Sequence, residues 1–129
     1  MDCIYKKSAA EFIGTFVLVF FACGVAAFTG GELVATSLSF GLVIVAMAYS
    51  IGKVSGCHIN PAVSIACFAD GRMTGTEFAA YVIAQVLGAI VGGIAIFGIA
   101  KMGGKELLGD ACNAVLSNDA GGYLGAILA

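Results

Sequence analysis

Apolar and polar positions divide the chain into long uncharged runs. No charge falls between Glu11 and Glu32, which predicts a helix from about Ser8 to Phe28, ended by Thr29, Gly30 and Gly31. The run Leu33 to Gly52 holds 20 uncharged residues and the run Phe78 to Ala100 holds 23. About 20 apolar residues, at 1.5 Å each, cross a hydrocarbon core about 30 Å thick, so all three runs predict membrane-spanning helices. Two capping boxes, Ser8-Ala9-Ala10-Glu11 and Thr74-Gly75-Thr76-Glu77, mark expected helix starts. In each, a hydroxyl and a carboxylate reciprocally satisfy free backbone N–H groups.

A fourth uncharged stretch, Val54 to Ala69, has 16 residues and is interrupted by Asn60-Pro61. It is short for a crossing. An Asn N-cap followed by Pro at the first helical position predicts a helix from Pro61 to about Asp70, with Gly71 as its stop. Ten residues make about 15 Å, half the hydrocarbon thickness. The element therefore reads as a re-entrant half-helix that starts near the midplane and returns to the side it came from. Its approach, Lys53 to Ile59, is then irregular backbone at membrane depth, which is tolerated only when buried in protein or lining a wet cavity. That requirement predicts a pore or a binding site. The third run also carries Ala84, Gly88 and Gly92 at four-residue spacing, a ridge that lets a neighbouring helix approach closely.

Composition agrees with this pattern. Of 129 residues 60% are hydrophobic and 11% charged, with a mean hydropathy of +1.04. Fourteen charged residues cannot coat a water-soluble body of this size. A net charge of -2 excludes the basic surface that nucleic acid needs. Lys6, Lys7, Lys53 and Arg72 fall on one side and Lys101 and Lys105 on the other, which favours a cytoplasmic N-terminus. The five cysteines, Cys3, Cys23, Cys57, Cys67 and Cys112, show no C-x-x-C spacing and read as buried small hydrophobes. A cleaved N-terminal signal is the less simple reading of the first run, because two further runs follow it. The single histidine has no metal partner at ligand spacing, and there is no nucleophile triad or phosphate loop. Neither an enzyme nor a cofactor or metal site is expected.

Ser55-Gly56-Cys57-His58-Ile59-Asn60-Pro61-Ala62-Val63, with Ala10-Glu11-Phe12-Ile13-Gly14-Thr15-Phe16 and Tyr81-Val82-Ile83-Ala84-Gln85, resembles the aquaporin, or major intrinsic protein, family. The resemblance covers about residues 5 to 129, matches only the N-terminal half of that fold, and is closest to bacterial aquaporin-Z-like water channels. It implies an all-α membrane protein with three transmembrane helices, one re-entrant half-helix and the start of a fourth helix at 121–129. Residues 1–129 would form a single transmembrane domain, the first of two inverted repeats. Asn60, Pro61 and Ala62 match the pore motif. Gly56, Cys57, His58 and Ile59 match the pore-lining carbonyl ladder. Phe40 matches the selectivity-filter aromatic of the second helix, and Ile44 and Ala48, on the same face, would line the pore wall. Glu11 and Gln85 would support the re-entrant loop.

The resemblance also implies water as the permeant, with glycerol or another small neutral solute as the alternative. The surroundings would be the bilayer of a plasma or inner membrane, the second repeat and, in a complete channel, a homotetramer. Several residues keep two readings. Glu11 is a capping-box carboxylate or a buried tether, His58 a buried polar residue or a pore wall, Phe40 a packing aromatic or a filter residue, and Gln85 interhelical glue or loop support. Cys57 replaces the family's more usual glycine, which narrows the path or supplies a mercury-reactive thiol. The second Asn-Pro-Ala half-helix, the filter arginine and the fifth-helix filter residue are not in these 129 residues, and a half-size chain that conducts nothing alone is the remaining reading.

Overall fold

A computed structural model describes residues 4–104. Three helical stretches are long and apolar enough to cross a membrane. The first comprises α1 (Ile4–Val17), a π-helical segment (Leu18–Cys23) and α2 (Gly24–Thr29) in unbroken succession. The others are α3 (Leu33–Ser55) and α5 (Gly75–Met102), and between them lies the half-helix α4 (Pro61–Ala69). At nine residues α4 rises about 14 Å, too little to cross. The predicted fourth-helix start at 121–129, Lys105, Cys3 and Cys112 lie outside the described residues.

The helix ends follow local chemistry, with two corrections. Thr74 and Glu77 form the expected capping box at the start of α5, where Glu77 N–H donates to Thr74 Oγ1 at 3.2 Å and Thr74 N–H donates to Glu77 Oε2 at 3.1 Å. The other box does not form. α1 already begins at Ile4, which places Ser8 inside it, and Glu11 is fully buried with its carboxylate turned to distant partners. At α3 the cap is Glu32, whose carboxylate accepts from Ala35 N–H at 2.6 Å and Val34 N–H at 3.0 Å. Those two bonds, Ala35's first, hold the Glu32 carboxyl below its ordinary pKa. α3 also runs three residues past the expected Gly52, to Ser55, so the irregular segment is confined to 56–60. Asn60 caps α4, and Gly71, at φ +72°, follows its end.

α1 and α5 form the packed centre. Glycine allows their close approach: a Cβ on Gly88 would run into the Phe12 carbonyl oxygen, and one on Gly92 would lie 3.1 Å from Val19 and 3.2 Å from the Phe16 carbonyl oxygen. Ala84, Gly88 and Gly92 are all buried, so the small-residue ridge faces the first span. At one end Lys7 Nζ donates to Glu77 Oε1 at 2.9 Å and joins the two helices. α3 packs against the first span, but Ser55 is its one buried residue. Leu42 is 67% and Tyr49 88% exposed, an uncovered apolar surface far beyond what a water-soluble protein carries. Cys23, Cys57 and Cys67 are half-buried, not the buried small hydrophobes expected.

The glycine contacts give a paired test. Gly88→Val should destabilise the α1–α5 pair by about 2 kcal/mol or more, because backbone atoms meet the new side chain and cannot swing away. Gly93→Ala, where a Cβ meets nothing within 4 Å, should leave stability within about 0.5 kcal/mol. Thermal unfolding of both variants in detergent checks this; equal midpoints would refute the packing assignment.

Candidate functional site

The segment 56–60 enters the protein in an unusual conformation. Gly56, Cys57 and Ile59 have φ of +91°, +54° and +42°. Glycine adopts such values freely, but a β-branched residue there is strained by about 1–3 kcal/mol. The compensation comes from α1. Glu11 Oε1 accepts from Ser55 Oγ at 2.6 Å and from His58 N–H at 2.9 Å, and Oε2 accepts from Ile59 N–H at 2.6 Å and from Gln85 Nε2 at 2.8 Å. Four donors around one carboxylate satisfy a group whose burial would otherwise be prohibitive. The Ile59 side chain is seated by Gly14, one turn further along α1, where a Cβ would come within 2.5 Å of Ile59 Cγ2.

A second layer of bonds ties the loop to α5. Tyr81 Oη donates to the Ser55 carbonyl at 2.7 Å, Gln85 Nε2 donates to Ser64 Oγ at 3.0 Å, and Ser64 Oγ lies 3.1 Å from His58 Nδ1. The His58 ring packs edge-on against Tyr81, with centroids 5.2 Å apart. Ser55 Oγ also accepts from Cys57 N–H at 3.2 Å. The amides of Cys57, His58 and Ile59 are thus all spent on Ser55 and Glu11. No backbone N–H outside the regular helices donates to the carbonyls of Gly56, Cys57, His58 or Ile59 among the described residues.

Asn60 stands at the start of α4, exposed. Its Oδ1 accepts from Ala62 N–H at 2.8 Å, which caps the helix and leaves the Nδ2 hydrogens as donors with no bond to a described residue. Pro61, at the first helical position, removes an N–H that would otherwise lack a partner, and Ala62 is exposed beside it. A helix N-terminus carries about half a positive elementary charge. Donor, dipole end and unpaired carbonyls therefore lie in sequence along one short stretch.

The structure brings Glu11, Gln85, Gly56 to Ile59 and Asn60 together. Phe40, Ile44 and Ala48 lie apart on α3. Phe40 is half-buried, Ile44 is 48% exposed and Ala48 exposed, and no hydrogen bond or ring contact joins them to the loop. Sequence reasoning missed Ser55 and Ser64 as members of the network and gave Tyr81 no role. The available signals were polar residues in apolar helices, with Ser64 one turn after Asn60 and Tyr81 one turn before Gln85. A polar cavity of about 180 Å³, lined by Lys7, Arg72, Glu77, His58 and Tyr81 among others, opens beside the loop. No three of His, Cys, Asp and Glu converge as a metal site among the described residues.

Comparison with known proteins gives consistent matches. The profile described as major intrinsic protein matches residues 2–123. Aquaporin Z of Bradyrhizobium diazoefficiens is 50% identical over 102 residues, covering 74% of this chain and 42% of that protein. Aquaporin Z of Rhodopseudomonas palustris is 48% identical with the same coverage. The solved aquaglyceroporin of Plasmodium falciparum superposes with a TM-score of 0.71 at 30% identity, over 78% of this chain and 43% of that one. The chain thus spans less than half the length of the relatives it matches.

Glu11→Gln preserves size and removes the charge, so one amide N–H₂ must face donors where an oxygen accepted them. The substitution should destabilise the fold by about 3 kcal/mol, measured by reversible unfolding in mixed micelles. A loss below about 0.5 kcal/mol would show that the carboxylate does not hold the loop.

Proposed function

The chain belongs to the major intrinsic protein family, and on that premise we propose that residues 1–129 form the first repeat of a passive channel for water. The observation that carries the reading is the one-sided polarity of the re-entrant segment. Loop N–H groups are consumed by Glu11 and Ser55, so the carbonyls of Gly56, Cys57, His58 and Ile59 remain as a strip of acceptors. The strip ends at the Asn60 amide, a donor at the positive end of α4. A water molecule passing along it donates to the carbonyls and then turns its oxygen to Asn60. The same positive helix end opposes cations and protons, as in aquaporin-type pores generally.

In this reading the exposed inner faces of α3 and α4 meet a second repeat of inverted topology, whose half-helix abuts Asn60. Phe40 narrows the passage, Ile44 and Ala48 form its apolar wall, and Glu11 and Gln85 keep the loop in register. The protein lies in a plasma or inner membrane with its N-terminus in the cytoplasm. The complete channel is a homotetramer, as the family resemblance implies. Lys7 and Arg72 share the margin of one cavity, which supports placing the basic residues at one face of the membrane.

A second reading, passage of glycerol, is supported by the likeness to the P. falciparum aquaglyceroporin. The higher identity to the two aquaporin Z proteins and the phenylalanine at position 40 favour water. Stopped-flow light scattering of vesicles carrying the complete two-repeat channel separates the two. Water permeability should rise well above that of empty vesicles while glycerol permeability stays near it. Asn60→Asp keeps the capping oxygen but replaces the donor by a charge, and should lower water permeability about tenfold, equivalent to about 1.4 kcal/mol at the barrier. Phe40→Ala should admit glycerol. Water permeability no higher than in empty vesicles would end the water-channel reading.

A further inference from the structure

We infer that Gln85 and Ser64 are positioning residues that fix the tautomer of His58, selecting Nε2 over Nδ1 as the nitrogen that carries the proton in the neutral form of the ring. The direction of every bond in the ladder is set by its first member. Both Glu11 oxygens already accept, from Ser55, His58 and Ile59, so Oε2, at 2.8 Å, faces the Gln85 amide nitrogen; the flipped amide would set oxygen against oxygen. The same nitrogen lies 3.0 Å from Ser64 Oγ and donates its second hydrogen there. Ser64 is fully buried and has accepted from Gln85, so its own proton goes to the remaining neighbour, His58 Nδ1 at 3.1 Å. A ring nitrogen that accepts carries no hydrogen, and the neutral imidazole must then carry it on Nε2.

The same orientation leaves Gln85 Oε1 buried with no hydrogen-bond partner among the described residues. A buried orphan acceptor costs about 1–3 kcal/mol, and the alternative amide orientation is the ordinary way to avoid one. Against that cost stand the two N–H bonds to Glu11 and Ser64, both of which the flipped amide would lose.

The consequence falls on the open edge of the ring. Nε2 lies over Gly56, where a Cβ would be 3.3 Å away, and His58 borders the polar cavity beside the loop. A fixed Nε2–H is a donor beside a strip of acceptor carbonyls. Its use on passing water rests on the channel reading above, whereas the tautomer itself does not.

The chain contains a single histidine, so ¹⁵N-histidine labelling reports on this ring alone. In bilayers, two-bond ¹⁵N–¹H couplings of the neutral ring should show Nε2 as the protonated nitrogen, and the Nδ1 resonance should have the upfield position of a hydrogen-bonded acceptor. Ser64→Ala should move the Nδ1 resonance off its wild-type position and bring in the second tautomer, with its proton on Nδ1. Ser64→Thr, which keeps the hydroxyl, should restore the wild-type spectrum. A proton on Nδ1 in the wild type, or an Nδ1 resonance unmoved by Ser64→Ala, would overturn the inference, and the wild-type spectrum is decisive even if the alanine variant does not fold. Water permeability of vesicles carrying the complete two-repeat channel reads the channel function separately: normal flux with the wrong tautomer removes only the ladder, and absent flux with the expected tautomer removes only the channel reading.

Discussion

One carboxylate organises this protein. Glu11, on the first span, accepts hydrogen bonds from the end of α3, from two consecutive loop amides and from α5. A buried negative charge without partners would be intolerable at membrane depth, and a loop with unpaired amides would be equally so. Each cancels the other's cost, and neither has another solution nearby. The positive φ values of Cys57 and Ile59 follow from this pairing: the backbone turns against its preference so that successive N–H groups reach the same carboxylate.

The rest of the architecture serves that meeting point. Gly88 and Gly92 draw α5 against the first span, which places Gln85 within reach of Glu11. Gly14 leaves room for the Ile59 side chain, so the strained residue is held through its amide and its methyl groups at once. Lys7 and Glu77 close the same helix pair at its end, next to the box that starts α5. Within the loop, the N–H groups of Cys57, His58 and Ile59 are bonded while, among the described residues, the carbonyls of Gly56 to Ile59 are not, and the chemistry of the re-entrant segment arises from that division between consumed donors and idle acceptors.

Much of this was legible in the chain itself, for local reasons. Uncharged runs of membrane length gave the three spans, and Asn60-Pro61 gave the start of the half-helix, because capping and the loss of an N–H are properties of adjacent residues. Local reasoning failed where a distant partner outweighed a near one. Ser8 and Glu11 have the spacing of a capping box, yet Glu11 gains four donors from Ser55, two loop amides and Gln85, 44 to 74 residues away. The extension of α3 to Ser55 has the same origin, since the Ser55 hydroxyl and carbonyl are bonded to Glu11 and Tyr81. The π segment in the first span has no marker in its composition. Phe40 was singled out only by resemblance; it is half-buried on a helix whose surface is mostly exposed, and nothing in its own stretch of chain distinguishes it from a packing aromatic.

The order of the polar partners along the chain has a temporal meaning. Glu11 precedes the re-entrant segment, but Tyr81 and Gln85 follow it. The loop amides, by contrast, find their acceptors in Glu11 and Ser55, which both come before them in the chain. The bonds that α5 adds reach the Ser55 carbonyl, Ser64 and Glu11, not the loop amides. The first two helical stretches therefore hold everything needed to pair the loop amides, and the third locks from behind an arrangement whose costliest groups are already satisfied.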